Sequence, residues 1–259
     1  MNPGPELLKK DTRVHRAFAP HVAAMTGDER RAWLLDRKIL PWPEYGGHER
    51  ETRDLGLDNL AANMRFAEAF RRAAEAIAVP VMPVKGIFLL DNLYRDNWNL
   101  RRGRDADILI RPGDFSIAVK NLARAGYRIE HGWQRAPIGY HVRAFGPDGA
   151  MVSVQLRYTF HLGATLDKLD PRPGECLGVE CLVPSHEKHC HYLSWHLFKH
   201  VCANVGNQIK WADELFRIYE SDPDAVMVAA GTKAARRRLR LLEILFAPPD
   251  EPVEPRGAL

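Results

Sequence analysis

With 259 residues, 46% apolar and 27% charged side chains and a net charge of +4, the chain has the makings of a soluble protein of one large domain or two small ones. The charge is too small for a dedicated nucleic-acid binder, and no window is apolar for long enough to span a bilayer. Four cysteines (Cys176, Cys181, Cys190, Cys202) form no CxxC pair and the N-terminus has no apolar signal region, so reduced thiols in a bacterial-type cytoplasm are expected.

The segment up to about Gly56 is charged and broken by prolines, with one amphipathic helix in "DERRAWLLDRKIL". A longer helix is predicted from Asp58 as its cap, with Leu60, Met64, Ala67, Phe70, Ala74 and Ile77 as its apolar stripe. Val79 to Val84 reads as a short strand that turns at Lys85-Gly86 into a helix running to about Tyr94. "DADILIRPGDF" is a second strand. A helix follows, with Asp114 at its start and Gly126 after its last turn. "YRIEHG" begins another strand, and "GYHVRAF" and "AMVSVQLRYTF" flank "GPDG" as a hairpin.

This order gives an α/β (α+β) fold with a small mixed sheet and helical regions on either side. The expected organisation is a helical segment over 1–57, the α/β unit over 58–165, a helical region over 184–247 and a disordered tail over 248–259. No internal repeat is present.

Chemistry concentrates in "NLRRGRDADILI". Strand alternation projects Asp105 and Asp107 to one side. Two adjacent carboxylates repel, and a hard divalent cation, Mg²⁺ first and Mn²⁺ second, resolves that with one or two acids plus substrate phosphates. Upstream, Gly86 permits close backbone approach, and Lys85 would add a point charge at a phosphate seat. Arg101 and Arg104 could grip phosphates bidentately or pair with the acids, while Arg102 reads as solvent-facing.

These residues resemble the nucleotidyltransferase-like family of the DNA polymerase β superfamily. The matching string is Val84-Lys85-Gly86, Tyr94, Arg101, Asp105-Ala106-Asp107-Ile108-Leu109-Ile110 and Gly126-Tyr127, with His196, His200, Lys210 and Asp213 in similar order later. The resemblance covers roughly Asp58 to Tyr219. It implies a nucleotidyltransferase that binds Mg²⁺–NTP, ATP foremost, through Asp105 and Asp107, with Lys85 and Gly86 at the phosphates. An acceptor hydroxyl on a small molecule, peptide, protein or RNA end would attack the α-phosphate and release pyrophosphate; no membrane is involved.

One position departs from the family pattern. Active members of the superfamily carry a third carboxylate on a following strand, and the matching stretch "VSVQLRY" puts Ser153 there and Gln155 two residues on. Asp148 lies in the hairpin turn. Two alternatives therefore stand beside the enzyme: a degenerate nucleotide-binding protein without turnover, and a helical adaptor for RNA or protein.

His189, His196 and His200 share a helical stripe opposite Trp195, Phe198, Cys202 and Val205. Without an HExxH or a CxxC, zinc is disfavoured. The stripe reads instead as lining a cleft, where it contacts base or acceptor, or as half-buried. "KAARRRLRLLEILF" is an amphipathic helix with a basic solvated face, and Trp211 reads as a core anchor.

Overall fold

The computed structural model describes residues 24–29, 49–95, 97–103, 105–131, 141–147, 153–157 and 164–203, with Glu214, Leu215, Ile218, Pro223, Asp224, Val226 and Arg236 further on. Most of the helix expected before residue 49 and of those expected beyond 208, with the tail, Arg104, Asp148, Val205, Lys210, Trp211 and Asp213, lie outside the described residues. So do the side chains of Ser153, Gln155, Trp195, Phe198, His200 and Cys202.

Two compact units result. One holds Leu60–Trp98 and Arg102–Leu193; Asn99–Arg101 and the described residues before Leu60 and after Leu193 belong to the other.

Helix α1 spans Glu49–Ile77, so it is already formed nine residues before Asp58, the expected cap. Gly56, which invites a break at roughly 1 kcal/mol, is buried within it. The buried stripe also differs from the expected one. Asn59, Ala62, Asn63, Phe66, Phe70, Ala73 and Ile77 face inward, whereas Met64 is 61% exposed and Leu60 37%. Two asparagines hold inward positions because each has a backbone partner. Asn59 Nδ2 donates to the Asn99 carbonyl at 3.0 Å and Asn63 Nδ2 to the Trp98 carbonyl at 2.6 Å. The helix stops where Ala78 turns left-handed, at φ 54, and the Asn121 amide caps the Ile77 carbonyl at 3.0 Å.

Strand β1 (Met82–Pro83), helix α2 (Gly86–Asn92), a 3₁₀ turn (Trp98–Leu100), strand β2 (Asp105–Leu109) and helix α3 (Phe115–Arg124) follow. Asp114 occupies the N-cap position of α3 without a side-chain cap bond. Gly126, at φ 85, closes the helix, with the Tyr127 N–H on the Leu122 carbonyl at 3.0 Å. Strands β3 (Arg128–His131), β4 (His141–Phe145) and β5 (Ser153–Arg157) complete a five-stranded sheet of order β1-β2-β5-β4-β3. Among the described strands of this sheet only β2 and β5 pair in parallel, so the sheet is mixed and the fold is α+β. Ala106, Ile108, Val142 and Ala144 lie on one face and are buried; Asp105, Asp107 and Arg143 belong to the other.

A second hairpin, β6 (Arg172–Cys176) and β7 (Val179–Val183), was not expected. It turns through Leu177 and Gly178, at φ 51 and 77, the pair of positive angles of a two-residue hairpin turn. The Leu182 N–H donates to the Val81 carbonyl at 2.9 Å, which ties this hairpin to the chain entering β1. Helix α4 (His186–Ala203) comes next. Cys176, Cys181 and Cys190 are free thiols, and burial pushes the Cys181 thiol up to about 11, far from a reactive thiolate.

Candidate active site

Asp105 and Asp107 open β2 on the same face. Asp107 is 3% exposed, while Asp105 is half-buried. Because β1 runs antiparallel to β2, the chain leaving β1 passes beside the acids: the Val84 N–H donates to the Asp107 carbonyl at 3.0 Å. The next residue is Lys85. Its ammonium donates to Asp107 Oδ1 at 3.2 Å, with the two side chains 15% and 4% exposed. Gly86 then opens α2.

The turn at Lys85 is strained. Its backbone sits at φ 54, ψ −121, a region that favours glycine and costs other residues on the order of 1–3 kcal/mol. The Lys85 N–H donates to His189 Nε2 at 3.1 Å. His189, in the first turn of α4, is fully buried, and its ring lies 4.2 Å from that of Phe88, centroid to centroid. Burial, helped by nearby His186, lowers the imidazole to about 3, so the ring is neutral.

A second clamp positions the approach to β2. Asn63 Oδ1 accepts the Gly103 N–H at 2.7 Å while its amide holds the Trp98 carbonyl. Gly103 lies so close to Phe66 that a Cβ there would stand 2.8 Å from a ring carbon. Only glycine lets the chain cross that ring two residues before Asp105.

The parallel register sets Ser153 beside Asp105 and Gln155 beside Asp107. Arg101 is buried, and its Nε donates to Glu214 Oε1 at 3.0 Å, both in the second unit. His196 is half-buried on α4, which also carries His200. His189 belongs to the first unit and His196 to the second. Among the described residues, no three His, Cys, Asp or Glu side chains gather in a way that could hold a metal.

The donor set nevertheless suits a hard divalent cation that keeps water and substrate oxygens as its remaining ligands. It offers two carboxylates on one strand face, and the buried one already carries a cationic ammonium on its Oδ1. Hydropathy and motif spacing pointed to Asp105, Asp107, Lys85 and Gly86 but passed over Asn63, and took His189 as one member of a helical histidine stripe. Two asparagines four residues apart on a helix, Asn59 and Asn63, were a readable signal for the Asn63 clamp. The contact of His189 with the Lys85 N–H had no such signal, since the two residues are 104 apart.

No helix among the described residues is long and apolar enough to cross a membrane. No curated protein and no solved structure matches the chain. A family profile described as uncharacterised nucleotidyltransferase matches residues 50–246, which take in α1, the whole sheet and α4, and the chain belongs to that family.

Proposed function

We propose that the chain transfers a nucleotide from an NTP, ATP foremost, to an acceptor hydroxyl, with Asp105 and Asp107 holding Mg²⁺ or Mn²⁺ and Lys85 meeting the phosphates. The observation that carries this reading is the alternate acid pair of β2 with the Lys85 ammonium 3.2 Å from Asp107. When bound, the metal would neutralise phosphate oxygens and polarise the α-phosphate. The two carboxylates orient the triphosphate by fixing where its oxygens converge. The Lys85 side chain, on a flexible stem, turns from Asp107 to the triphosphate and stabilises charge on the departing pyrophosphate. The acceptor oxygen bonds to the α-phosphorus, the bond to the bridging oxygen breaks, and the acceptor proton passes to solvent.

A second reading has its own observation. Ser153, not a carboxylate, pairs in register with Asp105, so the chain could bind nucleotide without turning it over. Calorimetry with the four NTPs, with and without Mg²⁺, tests both, alongside pyrophosphate release over an acceptor panel. Metal-linked binding that weakens at least about tenfold in Asp107→Asn supports the shared nucleotide site. Binding without pyrophosphate release selects the second reading. Absence of metal-linked binding in the wild type would overturn both.

A further inference from the structure

We propose that His189 is a positioning residue: its Nε2 accepts the Lys85 N–H and so holds the left-handed turn that delivers the Lys85 ammonium to Asp107. The bearing on nucleotide binding rests on the function proposed above; the hold on the turn does not.

Geometry leads to this. Lys85 adopts φ 54 and ψ −121, which its own side chain disfavours, so an outside contact has to help keep it there. The contact to His189 comes from another element, at 3.1 Å. A backbone N–H can only donate, so Nε2 must be the bare nitrogen and the ring proton must reside on Nδ1. The ring cannot easily swing away. Phe88 packs against it at 4.2 Å with planes tilted by 46°, and the backbone N–H of His189 donates to the Ser185 carbonyl at 3.0 Å, which fixes the residue that carries the ring. Phe88 belongs to α2, the helix that Lys85 introduces, so one side chain grips both the turn and the helix behind it. Full burial keeps the ring neutral, and with its proton on Nδ1 a neutral ring presents Nε2 as the acceptor.

The bland alternative is a core histidine that only fills space. His189→Phe fills the space and keeps the stack on Phe88 but removes the acceptor. His189→Gln can return an acceptor at about the reach of Nε2. The readouts are Lys85 amide hydrogen exchange by NMR, affinity for ATP with Mg²⁺ by calorimetry, and thermal unfolding as a check on folding. With His189→Phe, we expect faster Lys85 exchange and affinity lower by about tenfold, the worth of one hydrogen bond. With His189→Gln, both should recover most of the way. Unchanged Lys85 exchange in a folded His189→Phe protein overturns the proposal. So does a folded His189→Gln variant whose Lys85 exchanges as fast as in His189→Phe, because packing alone then explains the site.

Should neither variant fold, ¹⁵N shifts of the wild-type imidazole decide. A protonated Nδ1 with bare Nε2 is expected, and a protonated Nε2 overturns the bond. If the wild type binds no nucleotide, the transferase reading falls, while exchange and tautomer still judge His189.

Discussion

Arg101–Glu214 and Lys85–Asp107 are both ion pairs whose side chains are largely hidden from water. The first closes at 3.0 Å with 7% and 5% of its side chains exposed, the second at 3.2 Å with 15% and 4%. The distances are alike; the cations are not. A guanidinium keeps its charge under all conditions and fixes its donors in a plane, which suits a permanent join. An ammonium on a four-carbon stem is a movable point charge. Its carboxylate also has a half-buried neighbour, Asp105, two residues along the strand. Strain is unevenly placed too: Lys85 carries a backbone conformation that side chains disfavour. A buried charge pair is a staple or an exchangeable stand-in according to whether the cation can leave.

The largest expected effect comes from breaking the staple. Glu214→Gln removes the carboxylate charge facing the buried Arg101 guanidinium, and loss of one charge from a buried pair costs on the order of 3–5 kcal/mol. Urea unfolding measures it. Nucleotide affinity per folded molecule should stay near the wild-type value. A large loss of affinity with little loss of stability would return Arg101 to the phosphate role that its place in the motif implies.

The exchangeable pair gives a smaller and more particular result. Lys85→Met removes the ammonium and leaves Asp107 buried beside Asp105. The fold should lose about 1–3 kcal/mol, and Mg²⁺ alone should restore part of that by taking the ammonium's place. The wild type, whose Asp107 already has a cation, should gain less from Mg²⁺ in thermal unfolding. Equal gains in the two proteins would mean that Lys85 and the metal do not compete for Asp107. Lys85–Asp107 would then be a fixed pair like Arg101–Glu214.

Much of the site could be read in advance because its logic is local. Alternation along five residues puts Asp105 and Asp107 on one face, and the turn signal Lys85-Gly86 follows directly on a β-branched run. The β4–β5 hairpin, announced by "GPDG", brings Ser153 into register with Asp105. What escaped depends on partners far away in sequence. Asn59 and Asn63 take inward positions that hydropathy gives to Leu60 and Met64, because carbonyls 35 to 40 residues on satisfy them. The β6–β7 hairpin was hidden by its own composition. Pro173 and Gly174 sit inside a strand, and Leu177 occupies a turn position with φ of 51. His189 read as one of a polar stripe, and only the fold shows that it accepts the Lys85 N–H.

The smallest expected effect supplies the baseline for the comparison. Arg111 and Asp167 close at 3.1 Å, as short as the two buried pairs, but their side chains are 41% and 61% exposed. In water both partners keep their hydration when separated, so removing one strands nothing. Asp167→Asn should cost no more than about 1 kcal/mol, and less as salt rises. The three pairs share a distance and differ in burial and in cation, so urea unfolding of the three variants ranks those two factors. A loss for Asp167→Asn equal to that for Glu214→Gln would show that burial is not what makes the Arg101 pair a staple. A small, salt-screened loss leaves burial as what separates the Arg101 staple from the surface pair. It also leaves the mobility of the cation as what separates that staple from Lys85–Asp107.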